Sequence, residues 1–295
     1  MKTSQAASRA SFSLKAPAKI NWFLKIISKR VDGYHDIASL MQCISLYDDL
    51  KFEHSDSINV INDLDIPLSD NIVYKAASLL KKLVSYRKGA KITLKKRIPV
   101  SAGLGGGSSD AACVLSGLNM LWRLNLSAME LSSTGAEIGS DVPFFFNGPL
   151  ALVEGRGEKA TPFRIDSSIT LLLVKPPISV STAWAYSYYD KNDVNKLTKK
   201  AIDIKLLCQT LKRQDYALLG KMLDNDFEDV VTGRYPVISE IKLRLIEKGA
   251  LISAMSGSGP TVFGVFESRD LAKKAAGEMK PNTGLVVETL ASVKS

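Results

Sequence analysis

Apolar side chains occupy every even position from Ala10 to Ile26, namely Ala10, Phe12, Leu14, Ala16, Ala18, Ile20, Trp22, Leu24 and Ile26. A period of two is the signature of a β-strand. The odd positions carry Ser13, Lys15, Lys19, Asn21 and Lys25, with Pro17 marking an edge or a bulge. Lys19 and Asn21, two apart, therefore project from one face about 7 Å from each other. A lysine on a strand is ordinarily solvated. Val31-Asp32-Gly33-Tyr34-His35 reads as a turn that presents a phenol ring beside an imidazole. Strand-like sequence returns over 37–52, a helical period spans 71–83, and a short strand over 90–94 leads to Pro99.

The next stretch, Pro99-Val100-Ser101-Ala102-Gly103-Leu104-Gly105-Gly106-Gly107-Ser108-Ser109, concentrates glycines ahead of two hydroxyls. Apolar positions Ala111, Val114, Leu115, Leu118, Leu121 and Trp122 follow at helical spacing, so the loop opens a helix, with Ser108 or Ser109 expected as its N-cap. Glycine backbones approach a ligand closely, and the first turn of a helix offers unpaired N–H donors, so the stretch suits a phosphate. It is not a Walker A loop, because Ser108 stands where that motif needs lysine. Nor does it match the dinucleotide fingerprint, whose third glycine is also replaced by Ser108.

Ser127-Ala128-Met129-Glu130 is a capping box, and the helix it opens should end at Gly139. Asp141 then sits in a tight connection before Phe144-Phe145-Phe146. A composition shift over 161–168 marks a candidate boundary between domains at 13–164 and 165–295, with 1–12 a loose tail. Beyond it, a buried-strand run covers 169–174, helical periods cover 201–211, 216–230, 237–247 and 271–279, and strands cover 251–255, 261–266 and 284–287. Mixed elements in this order indicate an α+β fold.

Composition narrows the classes. At 295 residues, with 45% apolar and 23% charged side chains, the chain has the profile of a globular protein of two domains. No apolar run reaches the ~18 residues of a membrane span. Residues 1–11 lack the apolar core of a secretory signal, and their serines and want of acids leave a transit peptide as the alternative. Cys43, Cys113 and Cys208 are odd in number and have no metal-ligand spacing, so no disulfide framework or zinc site is expected and a reducing cytoplasm fits. The net charge of +9 suits an anionic partner. Lys95-Lys96-Arg97, just before the glycine stretch, is expected to raise the local potential for nucleotide phosphates, whereas Lys196 to Lys200 reads as a solvated face.

Pro17-Ala18-Lys19-Ile20-Asn21, Pro99 to Ser109 and Met255 to Pro260 in this order resemble the GHMP kinase superfamily. Asp32-Gly33-Tyr34-His35 and Gly139-Ser140-Asp141-Val142-Pro143-Phe144 narrow the resemblance to its branch acting on a cytidine-diphosphate ester of methylerythritol, with Asp36 and Ser140 as mild departures. The resemblance implies a two-domain α+β fold: an N-terminal ribosomal-protein-like nucleotide-binding domain and a C-terminal ferredoxin-like α/β sandwich. It implies ATP, accompanied by magnesium with no named protein ligand, as phosphoryl donor. Asp141 is implied as the catalytic base and Lys19 as the catalytic lysine. The glycine stretch and Asn71 would bind ATP. Asn21, His35 and Thr182 would contact substrate, and Tyr34 and Tyr186 would clasp the cytosine. Homoserine, mevalonate derivatives or a sugar are the alternative acceptors, and an RNA-binding module is the alternative of another class. The sequence leaves oligomeric state, monomer or weak homodimer, open.

Overall fold

The computed structural model describes residues 11–63, 66–191, 203–279 and 284–292. In chain order the elements are β1 (Phe12–Lys29), β2 (His35–Ser55), β3 (Asn59–Ile61), α1 (Ile72–Leu83), β4 (Gly89–Lys95), α2 (Gly106–Trp122), α3 (Ala128–Ile138), α4 (Phe144–Asn147), β5 (Leu150–Gly155), β6 (Lys159–Pro162), β7 (Thr170–Val174), α5 (Thr182–Lys191), α6 (Ile204–Arg213), α7 (Tyr216–Met222), α8 (Glu228–Arg234), α9 (Val237–Glu247), β8 (Ile252–Met255), β9 (Val262–Phe266), α10 (Arg269–Glu278) and β10 (Gly284–Glu288). The basic stretch Lys196 to Lys200, the tail up to residue 10, and the start of the helical period at 201–211 lie outside the described residues.

Two compact units form, and no single cut near 164 separates them. One unit takes the chain up to Ala16, then Tyr47–Ile98 and Gly106–Phe146; the other takes Pro17–Leu46, Pro99–Gly105 and the chain from Asn147 onward. The long strands β1 and β2 pass from one unit into the other.

In the first unit β4 pairs antiparallel with the C-terminal half of β2 and parallel with the short β3. The core is made by Val73, Ala76 and Leu80 of α1, Ala111, Leu115 and Leu118 of α2, and Phe52, Ile92 and Leu94 of the strands. Gly117 lets α2 lie against the sheet, because a Cβ there would stand 2.3 Å from the Phe52 ring. Asn71 caps α1 by accepting from Val73 N at 2.9 Å, and Ser127 and Glu130 form the expected capping box on α3. Gly139 ends α3 in an extended conformation that any residue adopts.

The second unit holds an antiparallel sheet in the order β10-β7-β9-β8. Val231 of α8, Ile238, Ile241 and Leu245 of α9, and Ala272 and Ala275 of α10 pack on Leu172, Val174, Val262 and Phe266. All of β9 is buried, and Phe263 meets Trp22 of β1 edge-to-face at 5.6 Å. The helix expected over 216–230 is instead two helices. Between them the backbone turns aside to pair with β1, where Leu24 N donates to Asp224 O and Asp226 N donates to Leu24 O. Lys25 pairs with both Asp224 and Asp226, which fixes that detour.

Candidate active site

The polar face of β1 is not solvated. Lys19 is 4% exposed, and Asn21 and Lys25 are also buried. Lys19 Nζ donates to Asn21 Oδ1 at 2.7 Å, Asn21 Nδ2 donates to Ser39 Oγ at 2.8 Å, and Ser39 Oγ donates to Phe23 O at 2.6 Å. The chain of donors fixes both side chains and orients the ammonium, since a buried charge needs such partners. The solvent-exposed reading of a strand lysine fails here.

The loop 256–260 ties this pair to the glycine stretch. Ser256 Oγ donates to Gly103 O at 3.0 Å and accepts from Asn21 N at 3.3 Å, while Lys19 N donates to Leu104 O at 2.9 Å. Gly257, in the left-handed region, approaches the functional groups: a Cβ there would lie 3.1 Å from Asn21 Oδ1 and 3.4 Å from Lys19 Nζ. Asn225 holds this loop from the other side by donating to the carbonyls of Met255 and Gly257.

Within the glycine stretch Ser101, Gly103 and Gly105 have φ of 52°, 76° and 67°. Left-handed residues alternating with ordinary ones turn successive N–H groups toward one side, the geometry of an anion nest. Helix α2 starts at Gly106, so Ser108 and Ser109 belong to its first turn and neither is the N-cap. A glycine start leaves the first-turn N–H groups uncovered by any capping side chain. Ser109 is buried and its Oγ has no hydrogen-bond partner among the described residues.

The turn carrying Asp141 adjoins that helix start, because a Cβ on Gly139 would lie 3.8 Å from Ser108 Oγ. Val142 and Phe144 are fully buried on its C-terminal side and hold the turn in place. Asp141 itself is half-buried.

Lys96 and Arg97 of the basic cluster before the loop are each paired with a carboxylate, contrary to the expectation of free positive charge. Lys96 Nζ donates to Asp48 Oδ2 at 2.5 Å and to Asp110 Oδ2 at 2.7 Å, and Arg97 pairs with Asp49 at 2.5 Å. Asp48 also accepts from Arg97 N and Ile98 N, so it anchors the strand end from which the loop departs. Burial pushes the Asp110 carboxyl up to about 7, outweighing the ammonium beside it. Burial likewise raises the Cys43 and Cys113 thiols to about 12, which leaves them protonated and unreactive.

A second group of predicted residues gathers on α5. His35 is buried, and its ring stacks on Tyr186 with centroids 4.6 Å apart. Tyr186 also meets Phe227 edge-to-face at 4.8 Å. Thr182 Oγ1 lies 2.8 Å from Ser258 Oγ, which joins the start of α5 to the loop 256–260. Tyr34 is 54% exposed, beneath the Arg156 guanidinium at 5.1 Å, and does not share the His35–Tyr186 stack. Asn71 spends its side-chain oxygen on capping α1.

The model of the GHMP kinase N-terminal domain matches residues 71–149 and that of the GHMP kinase C-terminal domain residues 205–284. A 4-diphosphocytidyl-2-C-methyl-D-erythritol kinase of Thermodesulfovibrio yellowstonii is 48% identical, over 94% of this chain and 97% of its own length. The chain belongs to the 4-diphosphocytidyl-2-C-methyl-D-erythritol kinase family. The kinase of the same name from Clostridioides difficile is 44% identical over 87% of each chain. A crystal structure of 4-(cytidine 5'-diphospho)-2C-methyl-D-erythritol kinase superposes with a TM-score of 0.82 at 30% identity, covering 95% of this chain and all of that one. A homoserine kinase from Cytophaga hutchinsonii, 20% identical with a TM-score of 0.73 over 97% of this chain and 96% of its own, shares the fold. Kinases of the GHMP group take ATP as phosphoryl donor and act on small molecules. Among the described residues no helix is long and apolar enough to cross a membrane.

Several residues that hold these candidate groups gave no sequence signal. Ser39, Ser256, Asn225 and Asp190 are single polar residues whose partners are distant in sequence. Only Ser256 lay in a recognisable motif, Met255 to Pro260.

Proposed function

We propose that this chain transfers the γ-phosphoryl group of ATP to the 2-hydroxyl of 4-diphosphocytidyl-2-C-methyl-D-erythritol, in non-mevalonate isoprenoid precursor biosynthesis. The observation that carries the reading is the buried Lys19–Asn21–Ser39 chain, bonded through Ser256 to the backbone of the glycine stretch. Phosphoryl transfer needs positioning and charge stabilisation more than covalent chemistry, and a held ammonium beside an anion nest supplies both.

In this reading the nest and the first turn of α2 bind the phosphates of ATP, with Asn71 on the adenine side. Asp141 accepts the proton of the acceptor hydroxyl, and Lys19 stabilises the negative charge that develops. Asn21 and Thr182 contact the substrate, and Tyr34, His35 and Tyr186 receive its cytosine. Magnesium would accompany the phosphates of ATP and offset their charge, and no step is routed through it. The partner is a small anionic molecule, which the net charge of +9 favours, and the working compartment is the cytoplasm.

The test is phosphate transfer from ATP to a panel of the cytidyl substrate, homoserine and phosphomevalonate, with phosphorus NMR to place the new ester. Exclusive turnover of the cytidyl substrate with a 2-phosphate product is expected. Preference for homoserine or phosphomevalonate would overturn the assignment, and salt-dependent retention of structured RNA without any transfer would favour the binding-module alternative.

A further inference from the structure

Helix α5 grips the His35 imidazole from two directions. Tyr186 covers its ring face, and one turn later Asp190 Oδ1 lies 2.7 Å from Nε2. Residues four apart share a helix face, so a single rigid element delivers both contacts. Asp190 is held in turn by Lys29, whose Nζ donates to its other oxygen at 2.6 Å. The bond to Asp190 engages Nε2 and leaves Nδ1 on the other edge of the ring.

We infer that Asp190 is a positioning residue that fixes His35 as the Nε2–H tautomer, so that Nδ1 accepts a hydrogen bond from the amino group of the base and selects cytosine over uracil. This rests on the cytidyl-substrate reading above and adds the origin of base discrimination to it.

The charge of Asp190 follows from its surroundings. Burial works to raise the Asp190 carboxyl, but hydrogen bonds from Lys29 and His35 outweigh it and hold the group below its ordinary value. Asp190 is thus ionised at neutral pH and can only accept, which obliges Nε2 to carry the proton. In a neutral imidazole the other nitrogen is then an acceptor. Cytosine offers an amino donor at its 4-position, where uracil has a carbonyl oxygen. Two acceptors facing each other repel and leave both unsatisfied, so a uridyl analogue is rejected.

The chain has two histidines, so a His54→Gln background leaves His35 as the single imidazole for two-bond proton–nitrogen NMR correlation. At pH 7.5 the Nε2–H pattern is expected, and Asp190→Ala should turn it into a tautomer mixture. In parallel, kcat/KM is measured for the cytidyl substrate and its uridyl analogue. Asp190→Ala should raise KM for the cytidyl substrate roughly 3- to 10-fold, the worth of one hydrogen bond, with the KM for ATP unchanged and the cytidyl preference narrowed by the same factor. Asp190→Asn, which keeps an acceptor oxygen, should recover part of that preference.

A charged ring or an Nδ1–H pattern in the Asp190 protein overturns the inference. So does an Asp190→Ala enzyme with an unaltered tautomer or an unaltered cytidyl-to-uridyl ratio. Failure of the enzyme with Asp190 intact to phosphorylate the cytidyl substrate overturns the functional reading itself, and the inference with it.

Discussion

Replacing Gly103 with alanine tests how the glycine stretch is built. Gly103 has φ of +76°, and an added Cβ would stand 2.2 Å from the carbonyl oxygen of Ser256. The left-handed conformation disfavours alanine by roughly 1 kcal/mol. Relief of the overlap moves the loop by about 1 Å and breaks the Ser256 Oγ bond to Gly103 O, worth about 1 kcal/mol more. The variant therefore rests in another loop conformation, and ATP must restore the binding one at a penalty of about 2 kcal/mol, near 30-fold in Kd. Gly107→Ala is the control. Its φ is not left-handed, and its Cβ would make only ordinary contact with the Ile72 side chain, at 3.8 Å. Alanine is also the better helix residue by about 1 kcal/mol, so this variant should keep its stability and ATP affinity within a few-fold. Calorimetric titration with ATP, alongside thermal melts, reads both. A folded Gly103→Ala protein that binds ATP as tightly as the glycine form would refute the reasoning.

Asp141→Asn should lower kcat by about 10²–10⁴-fold with ATP affinity intact, and Lys19→Met should behave likewise, each read by steady-state kinetics beside nucleotide titration. An unchanged kcat would remove that residue from the mechanism. Truncating Tyr34 or Tyr186 to alanine should weaken the cytidyl substrate by roughly 5- to 150-fold, the scale of base–aromatic stacking, while phenylalanine is nearly neutral and ATP affinity stays put. Cytidyl affinity unmoved in both alanine variants would sink the cytosine clasp. Asp110 has its folded-state carboxyl raised from 3.8 to about 7 by burial, so the native state holds this proton more tightly than the unfolded chain does. Its contribution to stability is present below about pH 4 and is lost as pH rises through 7. Denaturant midpoints should therefore shift in favour of Asp110→Asn, relative to the Asp110 protein, between pH 4 and pH 8, and a gap that is constant with pH would contradict the burial argument.

Period and punctuation made most elements legible. Alternation located β1, the capping box located α3, and the apolar run at 237–247 coincides with α9. What alternation could not tell was how each face is used. Lys19, Asn21 and Lys25 occupy polar positions yet are buried, because side chains and backbone distant in sequence come to cover and satisfy them. The interruption between α7 and α8 has no glycine or proline to announce it. Its cause is a pairing with Leu24, about two hundred residues away, that no local pattern encodes. Helix α5 escaped notice because its aromatic residues are spread around the helix and only Ala185 is fully buried, so no apolar stripe forms.

For the site the difference is between residues that act through type and those that act through position. Gly103 and Gly105 stand out because few other residues tolerate their backbone angles, and Lys19, Asn21 and Asp141 lie in motifs whose spacing carries a resemblance. Ser39, Asn225 and Asp190 have no such mark, since a serine, an asparagine or an aspartate satisfies countless ordinary roles. Each becomes informative only once its partner is known: Ser39 receives Asn21, Asn225 holds the loop at Gly257, and Asp190 meets an imidazole 155 residues earlier in the chain. The same reasoning explains the basic cluster at Lys96. Read along the sequence it is a source of positive potential; in the fold Lys96 lies between the buried Asp48 and Asp110, and it fastens the strand end to the first turn of α2. Charge next to a motif in sequence is therefore weak evidence of charge at the ligand. A lysine bonded to an asparagine and enclosed beside a left-handed glycine is stronger evidence, because such burial is expensive unless the ammonium has something to do.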